Sequence, residues 1–296
     1  MRRWLAAVLL APLLLAWPAG VPAFDLGDLV GAVTVDDDAA ETARLLQKGA
    51  KVAAALVPIS DEEEIRLGRG VAARVIARFG IDYDRNATYY LNLLGTALAQ
   101  RSPRPDIPYH FALLNTDDVN AYACPGGYIF VTRGALNMVR DEAELAAVLA
   151  HEIGHVTGRH IVKALQHSEV MKAGADLAGE ALAKGSGELF SQMVDVATDA
   201  LFKGLKKEDE YDADARAVAL LNRVGYDYPA MFDVLKLLDA RRKAGQAKVL
   251  AKTHPAPGDR IRNLKQAMRK MHLDPPTGIR LRARLERHLR QPKAAS

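Results

Sequence analysis

Residues 145–160 read "LAAVLAHEIGHVTGRH", in which an apolar, alanine-rich run leads into two histidines four positions apart. The apolar run predicts a buried helix. On a helix, positions i and i+4 lie about 40° apart, so His151 and His155 project from one face and their imidazoles can converge on one ion. Because a buried helix must satisfy its polar side chains, this stretch predicts a metal site.

Glu152 gives the motif its chemistry. It projects about 100° from His151, close enough to reach water beside an ion without being a ligand itself. A divalent ion polarises a carbonyl and activates water, and a carboxylate takes the proton and returns it to the leaving amine. The pattern His-Glu-x-x-His therefore indicates metal-assisted hydrolysis. The alternative is a polar patch on an ordinary helix.

His160 is one candidate for the third ligand of the metal. The metzincin class of zinc proteases has a glycine at the eighth position of the motif and a histidine at the eleventh. Gly158 matches that pattern, but Ile161 stands where the histidine is required, and His160 comes one residue early. On a continuing helix that shift turns the side chain by about 100°, although a break at Gly158 would restore its direction. We therefore expect His160 to be exposed or to have a supporting role.

A downstream acidic stretch, "KKEDEYDADARAVALL", offers a better third ligand. Glu210 and Asp214 are again four residues apart, so on a helix one carboxylate can bind the ion while the other accepts an N–H from a ligating histidine. Acids also favour a solvated helix start, which is the alternative explanation. On chemistry alone, three other acids remain open as ligands: Glu208, Asp209 and Asp212.

The first residues, "MRRWLAAVLLAPLLLAWPAGVPAF", combine two arginines, an apolar run and small residues, which indicates a signal peptide over residues 1–23. An uncleaved anchor is the alternative, although Pro12 interrupts a run shorter than the roughly 20 residues that a spanning helix needs. Cys124 is the only cysteine, which excludes an internal disulfide, and we expect it to be a half-buried spectator. These features predict export to a bacterial periplasm.

The remaining pattern predicts an α+β fold that is mostly helical with a small antiparallel sheet. We expect an N-terminal helical segment over residues 24–58 and one domain over residues 59–296 that ends in basic helices. Three short runs rich in aromatic and β-branched residues, "YHFALLN", "VNAYA" and "GYIFVT", indicate about three strands. Turn-forming residues separate these runs.

Capping signals predict where two important helices begin. Ser60 with Glu63, and Asp141 with Glu144, form the pattern of a capping box, in which each side chain satisfies a free backbone N–H of the first turn. The second of these helices contains the histidine motif, and we extend it through Leu165.

The formal charge of +4 is unevenly distributed. Residues 259–296 carry eleven Lys and Arg against three acids, so the rest of the chain is about four negative. Such a tail can contact anionic lipid or nucleic acid. Because its arginines alternate with apolar residues at helical spacing, we favour solvated faces of packed helices. We expect no nucleic acid and keep peripheral contact with an anionic membrane as an alternative.

Four motifs together, "NAYACPGGYIFVTRGAL", "HEIGHVTGRH", "DEYDAD" and "THPAPGDRI", resemble the gluzincin zinc-peptidase family of HtpX, the CAAX prenyl protease and the periplasmic proteases BepA and LoiP. The resemblance extends over roughly residues 62–264. It implies a zincin-type metallopeptidase domain of the soluble periplasmic branch.

The resemblance implies a role for each matching residue. His151, His155 and Glu210 are implied as the ligands of one Zn²⁺ ion per chain. Glu152 is implied as the general base, and Asp214 as a residue that orients a ligating histidine.

It also implies a substrate site and a gate. Asn120, Ala121, Tyr122 and Ala123 match an edge strand to which an extended substrate adds its backbone. His254, in "THP", matches a position near the metal, where it stabilises the oxyanion or gates the site. Independently of the resemblance, the small-residue composition of region 166–205 predicts two helices hinged at "KGSG". We expect ordinary helical packing there, with a lid that gates the cleft as the alternative.

The function expected from these features is a zinc-dependent endopeptidase. Its substrates would be polypeptides, namely misfolded or unassembled envelope and outer-membrane proteins. The alternative is a zinc-stabilised periplasmic chaperone or assembly factor with little proteolysis.

Overall fold

The structure is a computed structural model that describes residues 58–173, 175–245, 253–273, 275–276 and 278–289. The predicted signal peptide and nearly all of the predicted N-terminal helical segment lie outside these residues. Among the described helices, none has both the length and the apolar character needed to cross a bilayer.

Two helices precede the sheet, and each begins at the side chain that caps it. Helix α1 spans Asp61–Phe79, and at its start Ser60 and Glu63 accept each other's backbone N–H at 3.2 and 2.8 Å, which is the predicted capping box. Helix α2 spans Arg85–Ala99, and the carboxylate of Asp84 accepts two N–H groups of its first turn.

The three predicted strands are present and form a mixed sheet. They are β1 (His110–Leu114), β2 (Ala121–Ala123) and β3 (Tyr128–Thr132), in the order β1-β3-β2. A 3-10 turn over Pro125–Gly127 joins β2 to β3, which pair antiparallel, whereas β1 pairs with β3 in parallel. The antiparallel expectation holds for one pair only, because β3 folds back into the position between β1 and β2.

After the sheet the described chain is largely helical, as its sequence pattern predicts. The helices are α3 (Arg133–Met138), α4 (Glu142–Gly158), α5 (His160–Gln166), α6 (Glu169–Ala173), α7 (Ala175–Lys184), α8 (Glu188–Lys203), α9 (Lys207–Val224), α10 (Ala230–Lys243), α11 (Pro257–Met268) and α12 (Arg282–Leu289).

The helix that carries the histidine motif is shorter than predicted. Helix α4 ends at Gly158, and Arg159 has a left-handed backbone with a φ of 54° before α5 begins. The expectation of one continuous helix through Leu165 was therefore wrong. A left-handed residue at this position ends a helix, and here an ion pair of 2.9 Å between Arg159 and the buried Glu64 of α1 holds it.

The sheet separates two apolar cores. Because side chains alternate along a strand, Ile129 and Val131 of β3 pack with α2, α4, α9 and α10, whereas Phe130 packs with α1 and α8 on the other face. Helix α4 is buried along almost its whole length, which explains its alanine-rich sequence.

A glycine sets the distance between α4 and α9. A Cβ atom at Gly154 would lie 2.9 Å from the carbonyl oxygen of Ala213, so only glycine lets the two backbones approach this closely. Gly154 stands between the two histidines of the motif, and Ala213 stands beside the acidic pair of α9. The contact therefore brings both halves of the predicted site together.

The basic C-terminal segment anchors the start of α4. Glu142 is fully buried, and its carboxylate accepts hydrogen bonds from Arg284, Tyr90 and Tyr226. Arg280 forms an ion pair of 2.9 Å with the aspartate that caps the same helix. Arg284 belongs to the packed helix α12, as the spacing of the arginines predicts, whereas Arg280 lies in the segment before it.

Replacing Arg284 with alanine should destabilise the protein by about 2 kcal/mol, because the buried carboxylate of Glu142 loses its cation. The loss should be smaller than for a fully buried pair, since the guanidinium is 47% exposed. Urea unfolding at neutral pH measures it.

The matched control is Arg287→Ala, which removes an exposed arginine from the same helix. It should change the unfolding free energy by less than about 0.5 kcal/mol. Equal midpoints for the two variants would contradict the anchoring role of Arg284.

Candidate metal centre

Three side chains from two helices converge where α4 meets α9. His151 and His155 lie on α4, and Glu210 lies in the first turn of α9, and each is at most 5% exposed. Their possible ligand atoms all lie within 4.8 Å of one another. The two Nε2 atoms are 3.1 Å apart, and oxygens of Glu210 lie 3.7 Å from His151 Nε2 and 3.5 Å from His155 Nε2.

These separations fit a single metal ion. Two atoms that each bind a tetrahedral zinc at 2.0–2.1 Å are about 3.3 Å apart, close to the distances within this cluster. Two imidazoles and one carboxylate are also a ligand set of catalytic zinc sites, which keep the fourth position open for water or substrate. The residues present therefore fit the ion that the sequence implies.

Asp214 fixes the orientation of His151. Its Oδ1 lies 3.0 Å from His151 Nδ1, so Nδ1 carries the proton and the Nε2 lone pair faces the cluster. Burial lowers the pKa of both His151 and His155, which keeps their imidazoles neutral and able to bind a cation.

His254 contacts the cluster through Glu210. Its Nδ1 donates a hydrogen bond of 2.6 Å to Glu210 Oε2. Burial alone would raise the pKa of Glu210, but His254, His155 and Arg260 together hold it well below its usual value. The carboxylate is therefore ionised, as a metal ligand must be.

Arg260 also belongs to the site, although the sequence alone does not predict its role. It is 3% exposed, and its Nε and Nη2 donate to the two oxygens of Asp214 at 2.9 and 2.5 Å. Burial alone would raise the pKa of Asp214, but the pairing with Arg260 lowers it to about 2. Arg260 belongs to the quoted motif "THPAPGDRI", but spacing alone does not connect it with an aspartate 46 residues earlier.

Glu152 lies beside the cluster at the junction of two clefts, and it is 5% exposed. Burial raises the pKa of its carboxyl to about 8, and the negative charge of Glu210 adds to this rise. A cation bound nearby would act in the opposite direction, because it favours the carboxylate.

The larger-volume cleft beside Glu152 is apolar. It is open to solvent, with about 430 Å³ of empty space when the solvent-exposed part is included, and its polar lining consists of Asn120, His151, Glu152, His254 and Arg260. Its large apolar side chains are Met138, Val148, Met231, Val234 and Leu238. The other cleft, of about 320 Å³, runs along β2 and is closed on one side by Leu201 and Leu205 at the end of the small-residue region.

The predicted substrate strand borders both clefts. Ala121, Tyr122 and Ala123 form β2, an outer strand of the described sheet, and Asn120 precedes it. Both side-chain amide atoms of Asn120 are buried, and the side chain interacts with that of Tyr122. The Tyr122 ring stacks on Phe79 of α1.

The remaining candidates lie outside the cluster. Glu208 is exposed, whereas Asp209 and Asp212 face His160 at 4.0 and 3.0 Å. His160 is 1% exposed, so the expectation of an exposed side chain is wrong; it contacts His155 instead of joining the ligand group. Cys124 is fully buried, not half-buried as expected, and burial raises the pKa of its thiol, which makes it unreactive.

Comparison with known proteins identifies one family model, described as peptidase family M48, which matches residues 86–268. The chain is similar to the beta-barrel assembly-enhancing protease of Escherichia coli K12, with 30% identity over 72% of this chain and 46% of the relative. The chain thus spans about half the length of this relative.

Two shorter relatives are also similar. The mitochondrial metalloendopeptidase OMA1 of Schizosaccharomyces pombe is 26% identical over 70% of this chain and 62% of its own length. The metalloprotease LoiP of Escherichia coli K12 is 26% identical over 65% of this chain and 73% of its own length.

Zn²⁺ should raise the melting temperature of the parent chain but not that of Glu210→Gln. A ligand at 100 times its dissociation constant stabilises a fold by about 2.7 kcal/mol, which corresponds to roughly 5–10 °C for a chain of this size. Differential scanning calorimetry with and without Zn²⁺, after removal of metal by a chelator, measures the shift.

Glu208→Gln is the matched control, because it neutralises an exposed glutamate two residues earlier on the same helix. It should keep the full Zn²⁺-dependent shift. An undiminished shift in Glu210→Gln would exclude Glu210 as a ligand.

Proposed function

Since the chain belongs to peptidase family M48, we propose that it is a zinc-dependent endopeptidase whose ion is held by His151, His155 and Glu210. The observation that carries this proposal is the buried His-His-Glu cluster with a fourth polar side chain, Glu152, beside it at the junction of two clefts. An ion bound there supplies Lewis acidity, which polarises a peptide carbonyl and lowers the pKa of water to about 7.

The chain's own residues move the proton. Glu152 takes a proton from the attacking water on its carboxylate and returns it to the leaving amine. Its position beside the cluster, at the junction of the two clefts, places the carboxyl where it can exchange a proton with the water and with the amine. Asp214 and Arg260 hold the ring of His151, and the N–H of His254 fixes the carboxylate of Glu210.

We propose that the substrate binds as an extended chain along β2. In the described sheet β2 is an outer strand whose edge offers backbone groups for strand addition, and Asn120 stands at its start, where both clefts meet. A substrate side chain next to the scissile bond would enter the apolar cleft between α4 and α10, whose lining suits an aliphatic or aromatic group.

The proposed substrates are misfolded or unassembled envelope proteins, reached after export by the predicted signal peptide to a bacterial periplasm. Two observations support this proposal. Apolar side chains become accessible when a protein fails to fold, and the apolar cleft would select them. The name of one relative also connects this type of domain with beta-barrel assembly.

A zinc-stabilised chaperone is the weaker candidate. Membership of a peptidase family and the position of Glu152 beside the cluster both favour hydrolysis over binding alone. The two functions differ in their dependence on Glu152: loss of its carboxylate would abolish hydrolysis but would leave a chaperone function intact.

Glu152→Gln should keep the fold and the bound Zn²⁺ but lower kcat for cleavage of an unfolded polypeptide by about 10²–10⁴-fold. The amide has nearly the same shape as the carboxyl but cannot accept the proton. Cleavage is followed by fluorescence release from a quenched peptide, and metal content by atomic absorption.

Glu188→Gln, an exposed glutamate on α8, is the control and should cleave at the parental rate. Parental activity in Glu152→Gln would exclude the proposed mechanism. Rescue of a deletion strain by Glu152→Gln, without cleavage, would favour the chaperone.

Val148→Phe should reduce cleavage of peptides that carry a large side chain beside the scissile bond. Val148 is partly exposed, lies one helical turn before Glu152 and lines the apolar cleft, so a larger ring there fills the space that a substrate side chain would occupy. We expect kcat/KM for peptides with Leu or Phe beside the scissile bond to fall at least tenfold, with little change for Ala or Gly. Equal losses for all peptides would argue against a side-chain pocket.

A further inference from the structure

The helix that carries the motif breaks one residue before His160. Because Arg159 is left-handed, α4 stops at Gly158 and α5 starts on a new axis, which turns the imidazole of His160 back toward the preceding helix. His160 is 1% exposed although it follows directly on this turn. Burial of an imidazole in this position requires partners for both ring nitrogens.

Both ring nitrogens of His160 have partners. Nδ1 lies 2.9 Å from Nδ1 of His155, and Nε2 lies 3.0 Å from Oδ2 of Asp212 on α9. The same Asp212 oxygen accepts a hydrogen bond of 2.5 Å from Nε of Arg216, one turn further along α9. A line of four side chains therefore runs from Arg216 at the surface to His155 in the metal cluster.

Only one arrangement of protons satisfies this line. Asp212 is a carboxylate and accepts only, so Nε2 of His160 carries a proton and, in the neutral ring, Nδ1 is the acceptor. The proton between the two Nδ1 atoms then belongs to His155. His155 is left with an unprotonated Nε2, which is the atom that faces His151 and Glu210.

We propose that His160 is a positioning residue for the metal site, which acts by accepting the Nδ1 proton of His155 and so holds that ring in its metal-binding tautomer and orientation. Asp212 in turn holds the tautomer of His160. The arrangement parallels the one at His151, where Asp214 accepts the Nδ1 proton directly. The proposal rests on the metal site of the proposed function.

Gly158 provides an independent way to disturb this contact. A Cβ atom there would lie 2.3 Å from Nε2 and 2.7 Å from Cε1 of His160, so the ring occupies the space that any other side chain would need. Gly158 is helical, and alanine is otherwise favourable in a helix. Gly158→Ala should therefore act on the site only by moving His160.

The test is the affinity for Zn²⁺, measured by competition with a fluorescent chelator. His160→Ala should weaken binding roughly 10–100-fold, the usual loss when a group that orients a metal ligand is removed. His160→Asn, whose amide oxygen can accept near the position of Nδ1, should recover part of the loss. Asp212→Asn should weaken binding less than His160→Ala.

Two controls separate this role from a general effect on stability. His167→Ala removes an exposed histidine from the C-terminus of the same helix, and Glu208→Gln removes an exposed charge from α9. Both should bind Zn²⁺ as the parent does. Circular dichroism of the metal-free proteins shows whether each variant is folded.

A double-mutant cycle gives the sharpest result. Gly158→Ala should weaken Zn²⁺ binding in the parent but have no further effect in the His160→Ala background, since the atom it displaces is gone. In the Zn²⁺-loaded parent, long-range ¹H–¹⁵N NMR should show the proton of His155 on Nδ1.

Two results would overturn the proposal on its own: parental Zn²⁺ affinity in folded His160→Ala, or an equal effect of Gly158→Ala in both backgrounds. A parent chain that binds no Zn²⁺ would instead overturn the proposed function together with this inference. The outcomes are therefore distinguishable.

Discussion

The close contact between α4 and α9 is the constraint on which the site depends. Gly154 removes the one Cβ atom that would separate the two backbones, and this places the histidines of α4 opposite the acids of α9. Neither helix can be moved independently, because α4 is buried on nearly all sides and its start is fixed by Arg284 and Arg280. The rigidity of the site therefore comes from the packing of apolar and small residues around it.

Charge is the second constraint. Glu152, Glu210 and Asp214 bring three carboxyl groups into the interior, and Arg260 is the one guanidinium among the described residues that directly pairs with this group. With all three ionised and both motif histidines neutral, two negative charges remain, which a divalent cation balances. Without the cation, burial raises the pKa of Glu152, so that its carboxyl becomes protonated and the excess negative charge of the site falls.

Much of this arrangement could be predicted because it follows from short-range periodicity. The i, i+4 spacing of the two histidines, the capping box at Ser60 and the three strand segments are local patterns, and the structure has each of them. The parallel pairing of β1, the break at Arg159 and the part played by Arg260 depend on contacts between residues far apart in the sequence, such as Arg159 with Glu64 and Arg260 with Asp214. His160 shows where prediction from the sequence ends, because the left-handed backbone of Arg159 decides which way its side chain turns.

Anomalous diffraction at the zinc edge, from crystals of the chain loaded with Zn²⁺, tests the central claim most directly. We predict a single peak per chain, about 2.0–2.2 Å from Nε2 of His151, Nε2 of His155 and a carboxylate oxygen of Glu210. A peak bound by other residues, or no ordered peak in a crystal whose solution binds Zn²⁺ stoichiometrically, would contradict the account.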